Sequence, residues 1–158
     1  MAKRYWLMKS EPETYSISDL QKDGTSGWEG VRNYTARNSM RDDMKEGDLV
    51  LFYHSNAKPP GVAGLAKVHG SPVPDPSQFD KKSEYYDATS SKDLPRWMMA
   101  RIAFVEKFES VVPLEVMKAD QALTGMPVLA KGQRLSVQPV SPEHFARVLK
   151  LAGSKTKP

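Results

Sequence analysis

The run Leu49-Val50-Leu51-Phe52-Tyr53-His54 constrains this chain most. It is of strand length and nearly continuous in apolar character, so it reads as a strand buried on both faces or closed into a barrel. Pro59-Pro60-Gly61 then breaks the chain, and Val62-Ala63-Gly64-Leu65-Ala66-Lys67-Val68 returns as a strand whose small residues leave room on one face. Further on, Trp97 to Phe108 alternates. Met99, Arg101, Ala103, Val105 and Lys107 share one face, and Met98, Ile102, Phe104 and Phe108 dominate the other, which predicts the longest strand of the fold.

Around these strands the spacing predicts short helices. Arg4 to Met8, aromatic and bounded by charge, opens the fold as a strand. Ser18 and Gln21 make a small capping-box pattern for a helix that Asp23-Gly24 ends. Asn33 caps a second helix running to about Met44, with Tyr34, Met40 and Met44 near helical spacing and Glu46-Gly47-Asp48 as its stop. A helix from Pro113 to about Ala119, a Gly125-Met126-Pro127 turn, a short strand over Leu135 to Gln138 and a last helix capped by Ser141, with Pro142 in its first turn, complete the reading. The Pro-, Ser- and Asp-rich stretch from Gly70 to about Pro95 is longer than ordinary connections, and Phe79, Tyr85 and Tyr86 are expected to pin it. Strands without a βαβ rhythm argue for an α+β fold, a small mixed β-barrel of about five to six strands with short peripheral helices.

Composition narrows the chemistry. With 158 residues, 39% of them apolar, the chain suits one domain over residues 1–153, followed by a basic tail at 154–158. It contains neither a long apolar span nor a secretory-signal pattern, so an intracellular protein with no membrane partner is expected. The absence of cysteine excludes disulfides, thiol nucleophiles and thiolate metal sites. His54, His69 and His144 lack metal-ligand spacing, and no glycine-rich phosphate cradle occurs. No cofactor or metal is therefore expected. Of 23 basic residues against 19 acidic ones, the surplus equals Lys3, Arg4, Lys155 and Lys157 at the two ends. A nucleic-acid contact would have to come from a local patch, for which Arg32, Arg37 and Arg41 are candidates, with Lys58 and Lys67 as additions.

The segment Gly27-Trp28-Glu29-Gly30-Val31-Arg32-Asn33 puts a flat apolar face, a fixed cation and an amide edge into seven residues. Those parts suit a planar, hydrogen-bonding ligand such as a nucleobase. Trp28 either stacks on a base or packs in the core; Asn33 either reads a base edge or caps the next helix. Gly30, with no Cβ, lets the backbone at Gly30 and Val31 approach a ligand. Lys9-Ser10-Glu11-Pro12 and Tyr53-His54-Ser55-Asn56 gather polar side chains at strand ends, where sites often lie but solvated turns are also common. Trp97 is either a second aromatic wall or core.

Four blocks then carry a resemblance: Tyr5-Trp6-Leu7-Met8-Lys9-Ser10-Glu11-Pro12, Trp28 to Tyr34, Gly47-Asp48 through Phe52-Tyr53-His54-Ser55-Asn56, and Arg134-Leu135-Ser136-Val137-Gln138-Pro139-Val140. In this order they resemble the EVE domain family of the PUA-like superfamily, from Tyr5 to about Gly153. The resemblance implies a PUA-like mixed β-barrel related to the YTH modules, with a pocket for a modified, flipped base in DNA or RNA. It assigns Trp28 as the pocket aromatic, Gly30, Val31 and Asn33 as backbone and edge contacts, and Arg32 to the rim or a phosphate. Lys9, Ser10 and Glu11 would form the opposite rim, Tyr53, His54 and Ser55 the floor, and Trp97 a further wall. The expected function is a non-catalytic nucleic-acid reader, cytoplasmic in a bacterium and nuclear in a eukaryote. The alternatives are an enzyme acting on a modified nucleotide, with Glu11 or His54 as general base, and a protein-interaction adaptor.

Overall fold

The computed structural model describes residues 3–132 and 135–158; Arg134, part of the fourth block above, lies outside the described residues, as do the first two residues of the expected domain. Six strands form one mixed sheet in the order β2-β7-β4-β3-β1-β8. These are β1 (Tyr5–Ser10), β2 (Thr25–Gly27), β3 (Leu49–His54), β4 (Gly61–Val68), β7 (Arg101–Pro113) and β8 (Val137–Val140). A separate ribbon pairs β5 (Val73–Pro74) with β6 (Met98–Met99). The helices are α1 (Ile17–Asp23), α2 (Tyr34–Asn38), α3 (Leu114–Lys118) and α4 (Pro142–Ala152).

The apolar run occupies β3, between β1 and β4, and both of its faces are covered. Val50 and Phe52 join a core with Trp6, Met8, Ile17, Leu20, Trp28 and Met40. Leu49, Leu51 and Tyr53 point the other way, into a second core with Leu7, Leu65, Phe108, Phe145 and Val148. Each large side chain so buried contributes about 1.5–3 kcal/mol, which is why β3 tolerates almost no polar residue. β1 runs parallel to β3, with Leu7 opposite Leu51, whereas every other neighbouring pair in the six-stranded sheet is antiparallel. Register shifts between Phe52 and Tyr53 on β3, and between Val62 and Gly64 and between Leu65 and Ala66 on β4, accompany the curl of the sheet into a half-barrel. Gly64 lets α1 and β7 come close to β4, since a Cβ there would lie 2.4 Å from the Glu106 carbonyl oxygen and 2.7 Å from Ile17 Cγ1.

Several local expectations shift. The capping box of α1 is Ser16 with Asp19: the Ser16 hydroxyl accepts from the Asp19 N–H, and the Asp19 carboxylate accepts from the Ser16 N–H. Ser18 lies within the first turn, because burying Ile17 and Leu20 starts the helix earlier. Asn33 does cap α2, but after Asn38 the helix widens into a π turn over Ser39–Asp43 that ends at Met44. β8 begins two residues later than the Leu135–Gln138 expectation, and the short β2 carried no readable signal. β7 is the longest strand and extends past Phe108 to Pro113, but it starts only at Arg101. Met98 and Met99 pair with β5 instead, and the register shift around Val105 puts Phe104 against the first core and Phe108 in the second, so the expected single face is not kept. Ser154 and Thr156 of the expected tail dock on β7, their hydroxyls donating to Glu106 Oε1.

The long segment before β6 is held mainly by polar groups. Tyr86 is exposed; Tyr85, also partly exposed, does pin the segment by packing its ring against Gly30 and Arg32, and Gln78 is completely buried. Its Nε2 donates to the carbonyls of Asp75 and Trp97, and its Oε1 accepts from the Trp97 N–H and the Ser90 hydroxyl. An irregular loop laid against a core brings unpaired backbone groups with it, and a buried amide satisfies them where an aromatic ring cannot.

Candidate base-binding cavity

A cavity of about 720 Å³ opens among Lys9, Ser10 and Glu11 at the end of β1, the Thr14-Tyr15 turn, residues 26–33, Tyr85 and Ser136. Ser26 and Gly27 belong to edge strand β2 and Ser136 immediately precedes edge strand β8, so the cavity lies on the side where the half-barrel stays open.

Trp28 packs in the core and also reaches the cavity wall. It lines the cavity, yet it is only 8% exposed and stands edge-on to Phe52 with ring centroids 5.5 Å apart. Beyond it, Gly30 turns the chain at φ 82, a conformation that costs other residues energy. The space left by its missing Cβ is filled by Tyr85, whose Cε2 would be 2.7 Å away, and its N–H donates to Asp75 Oδ2 at 2.8 Å. Close backbone approach at Gly30 therefore serves the long loop, and the expected ligand contact through its N–H is already taken.

Arg32 lines the cavity but is not a waiting phosphate contact. Its Nε donates to the Tyr85 carbonyl, Nη1 to the Val31 carbonyl and Asp75 Oδ2, and Nη2 to the Ser77 hydroxyl and the Tyr85 carbonyl. A guanidinium has five N–H groups, and each has a partner. Its carbon also sits 5.4 Å from the Tyr85 ring centre and 5.0 Å from that of Trp97. Arg32 thus latches the loop to the Gly30 turn.

Asp75, 2% exposed, is the other half of the latch; besides Gly30 and Arg32 it accepts from the N–H and hydroxyl of Ser77. Burial alone would raise its pKa, but the hydrogen bonds from Ser77, Gly30 and Arg32 outweigh that and hold it below the ordinary carboxylate value. Only an Asp-Pro turn signal marks this residue in the sequence.

The other rim is polar. Ser10 donates its hydroxyl to the Tyr15 carbonyl at 2.6 Å, and Glu11 accepts from Asn56 Nδ2 at 2.7 Å. Lys9 has its pKa lowered by burial, and its ammonium lies 5.9 Å from the Tyr53 ring centre. Asn33 spends Oδ1 on the Ala36 N–H, as a cap, which leaves its Nδ2 as the group able to read a base edge.

Of the expected site residues, Lys9, Ser10, Glu11, Trp28, Gly30, Val31, Arg32 and Asn33 converge on the cavity; Tyr53, His54, Ser55 and Trp97 do not. Tyr53 alternates into the opposite core, one residue after Phe52. His54 turns toward α1, where Nε2 accepts the Ile17 N–H at 3.1 Å, so it supports a helix start instead of a cavity floor. Burial and the charge of Lys107 lower its pKa, and its lone pair is engaged, which removes it as a general base in the cavity. The Ser55 N–H ties β3 to the Ser10 carbonyl. Trp97 lies beneath Arg32, its indole donating to Asp87 Oδ2 at 2.8 Å, with the Asp87 carboxyl held down to about 2 by hydrogen bonds from Thr89 and Trp97. Gly27 and Glu29 line the cavity as part of the Gly27–Asn33 segment, and the lining residues not anticipated are Thr14, Tyr15, Ser26, Tyr85 and Ser136. They come from turns and chain-distant segments, although the aromatic character of Tyr85 was visible. Among the described residues no group of three or more His, Cys, Asp or Glu could hold a metal, and no helix is long and apolar enough to cross a membrane.

A curled mixed half-barrel with short rim helices and a cavity at its open side is the PUA-like fold. The YTH domain of the Zygosaccharomyces rouxii MRB1 protein, solved with N6-methyladenosine RNA, shares this fold at TM-score 0.55 and 13% identity, over 98% of this chain and 89% of that one. The family model described as the EVE domain matches residues 4–151, and the chain belongs to that family. Human thymocyte nuclear protein 1 is 45% identical over 93% of this chain and 73% of its own length. Human THYN1, solved in complex with 5-methylcytosine-containing DNA, superposes at TM-score 0.88 with 40% identity, covering 99% of this chain and 100% of that one.

Proposed function

We propose that this protein is a non-catalytic nucleic-acid binding module that takes a modified, flipped base of DNA or RNA into the cavity beside Trp28. The observation that carries the reading is the composition of that cavity. Trp28, Tyr15 and Tyr85 supply aromatic carbon, while Ser26, Glu29, Asn33 and the Ser10-Glu11 rim supply donors and acceptors, in a volume within the usual range of about 300–1,000 Å³ for small-ligand sites. Aromatic surface offsets the cost of unstacking a base, and edge contacts select it. The complex of human THYN1 with 5-methylcytosine-containing DNA supports a nucleic-acid ligand and makes that base the first probe.

Against the enzymatic alternative, the lone pair of His54 is committed to the Ile17 N–H of α1, which leaves Glu11, already accepting from Asn56 through Oε1, without an imidazole partner in the cavity. The module would act in the nucleus of a eukaryotic cell or the cytoplasm of a bacterium. Fluorescence anisotropy with matched oligonucleotides carrying cytosine or 5-methylcytosine tests the reading, extended to other base modifications. Saturable binding at least tenfold tighter for one modification, with the base recovered intact, is expected. Equal affinity for all bases, or chemical conversion of the bound base, would overturn it.

A further inference from the structure

We infer that Tyr34, stacked on Trp97 and flanked by Arg37 and Arg96, is a second nucleotide subsite that binds an unpaired nucleotide flanking the one held in the cavity. The inference rests on the base-reading proposal for its first site. Tyr34 is the residue right after the Asn33 cap, yet it is 49% exposed, whereas Trp97 beneath it is buried. The two rings lie 4.9 Å apart and 17° from parallel, so a rigid support holds Tyr34 in place with its ring already oriented.

Arg37 does not close over the ring from the side opposite Trp97. The Arg37 guanidinium carbon is 4.6 Å from the Tyr34 ring centre and 5.9 Å from that of Trp97. If Arg37 lay across Tyr34 from Trp97, the longer separation would approach the sum of the other two. The 5.9 Å separation falls well short of that sum, so Arg37 sits to the side of the stack and Tyr34 is left half-exposed. A base has a π-face of the size needed to cover it.

The charge around this platform suits a phosphodiester. Arg37 gives its hydrogen bonds to neutral acceptors, the Arg96 carbonyl and Asn38 Oδ1, which leaves two N–H groups on its η nitrogens for other acceptors. Arg96 donates from Nη1 to the Tyr34 hydroxyl, and its nearest carboxylate, Asp87, lies 3.8 Å from Nε and is also engaged by Trp97 and Thr89. The platform adjoins the cavity, because Arg32 packs against both Trp97 and the cavity-lining Tyr85. A nucleotide that remained paired and stacked in a duplex could not present its face to Tyr34. The occupant is therefore an unpaired neighbour of the flipped base.

Anisotropy and competition with three probes test this: a single-stranded heptanucleotide with central 5-methylcytosine, the same strand with abasic flanks, and 5-methyldeoxycytidine monophosphate. Tyr34→Leu keeps an apolar cover on Trp97 but removes the π-face; Arg96→Gln removes a charge independently. The expected result is roughly tenfold weaker heptanucleotide binding by Tyr34→Leu, no change with the monophosphate, and no difference between the proteins on abasic flanks. Arg96→Gln should reduce the salt dependence of heptanucleotide binding by about one ion. Wild-type heptanucleotide affinity in Tyr34→Leu, with its melting temperature retained, overturns the platform even if the cavity reads 5-methylcytosine. Dependence on Tyr34 without any preference for the methylated base sustains the platform and sinks the cavity reading instead.

Discussion

Replacing Asp75 with Asn is the sharpest probe of how the cavity is held, because it keeps the side-chain volume and removes only acceptor capacity. Oδ2 accepts from the Gly30 N–H and Arg32 Nη1, and Oδ1 accepts from the N–H and hydroxyl of Ser77. An amide turned either way places an NH2 group against at least one obligate donor: Gly30 and Arg32 on one side, the Ser77 N–H on the other. A stranded buried donor costs about 1–3 kcal/mol, and the charge assistance to Arg32 is lost as well. Arg32 is 21% exposed and keeps its bonds to carbonyls and Ser77, which discounts the ionic part, so the whole change amounts to about 2–4 kcal/mol. In a chain of 158 residues each kcal/mol moves Tm by roughly 2–4 °C, giving a fall of about 4–16 °C at neutral pH.

The pH dependence supplies an internal check. The folded carboxyl of Asp75 has a lowered pKa, so its contribution is fully present above the unfolded value of about 3.9 and is lost as pH falls through the folded value. The gap in Tm between wild type and Asp75→Asn should therefore be wide at pH 7 and shrink toward pH 3. Calorimetry across that range measures it. A shift below about 2 °C at pH 7, or a gap that widens in acid, would refute the latch.

Trp28→Ala should cost about 3–5 kcal/mol in urea unfolding, because the ring packs on Phe52 as well as lining the cavity; a loss under 1 kcal/mol would mean that Trp28 is a free wall. His54, with a pKa lowered by burial and by Lys107, should carry stability that is complete above about pH 6.5 and declines as the pH drops through its folded value. His54→Gln keeps an acceptor for the Ile17 N–H without a titrating group, so its Tm should fall less than that of wild type between pH 7 and 5. Parallel curves would show that the helix cap is not the group responsible.

Legibility followed the range of the physical signal. β3, β4 and the body of β7 from Arg101 were readable because apolar patterning is local, and Asn33 and Ser141 were readable as caps because an acceptor beside orphan N–H groups is needed at a helix start whatever packs on it. Ser18 was mistaken for the cap because two overlapping patterns satisfied the same rule, and only the burial of Ile17 and Leu20 chose Ser16. Half of the candidate site, from Trp28 to Asn33 with the Ser10-Glu11 rim, was visible as dense chemistry in short segments.

By itself, then, the sequence determined the two-faced burial of β3, the α+β class, the family blocks and the chemistry concentrated between Gly27 and Asn33. Tertiary structure alone decided what those groups are free to do. Arg32 looked available for a phosphate, but the distant Asp75, Ser77 and Tyr85 consume its donors. Gly30 looked like a ligand approach, but Tyr85 fills the space. Tyr53, next to Phe52 in the chain, faces away from the cavity because β3 alternates between two cores, and His54, on the same face as Phe52, is taken up by the Ile17 N–H of α1. The physical reason is common to all three: residue type states which bonds a group can make, and the competition among distant partners settles which remain for a ligand.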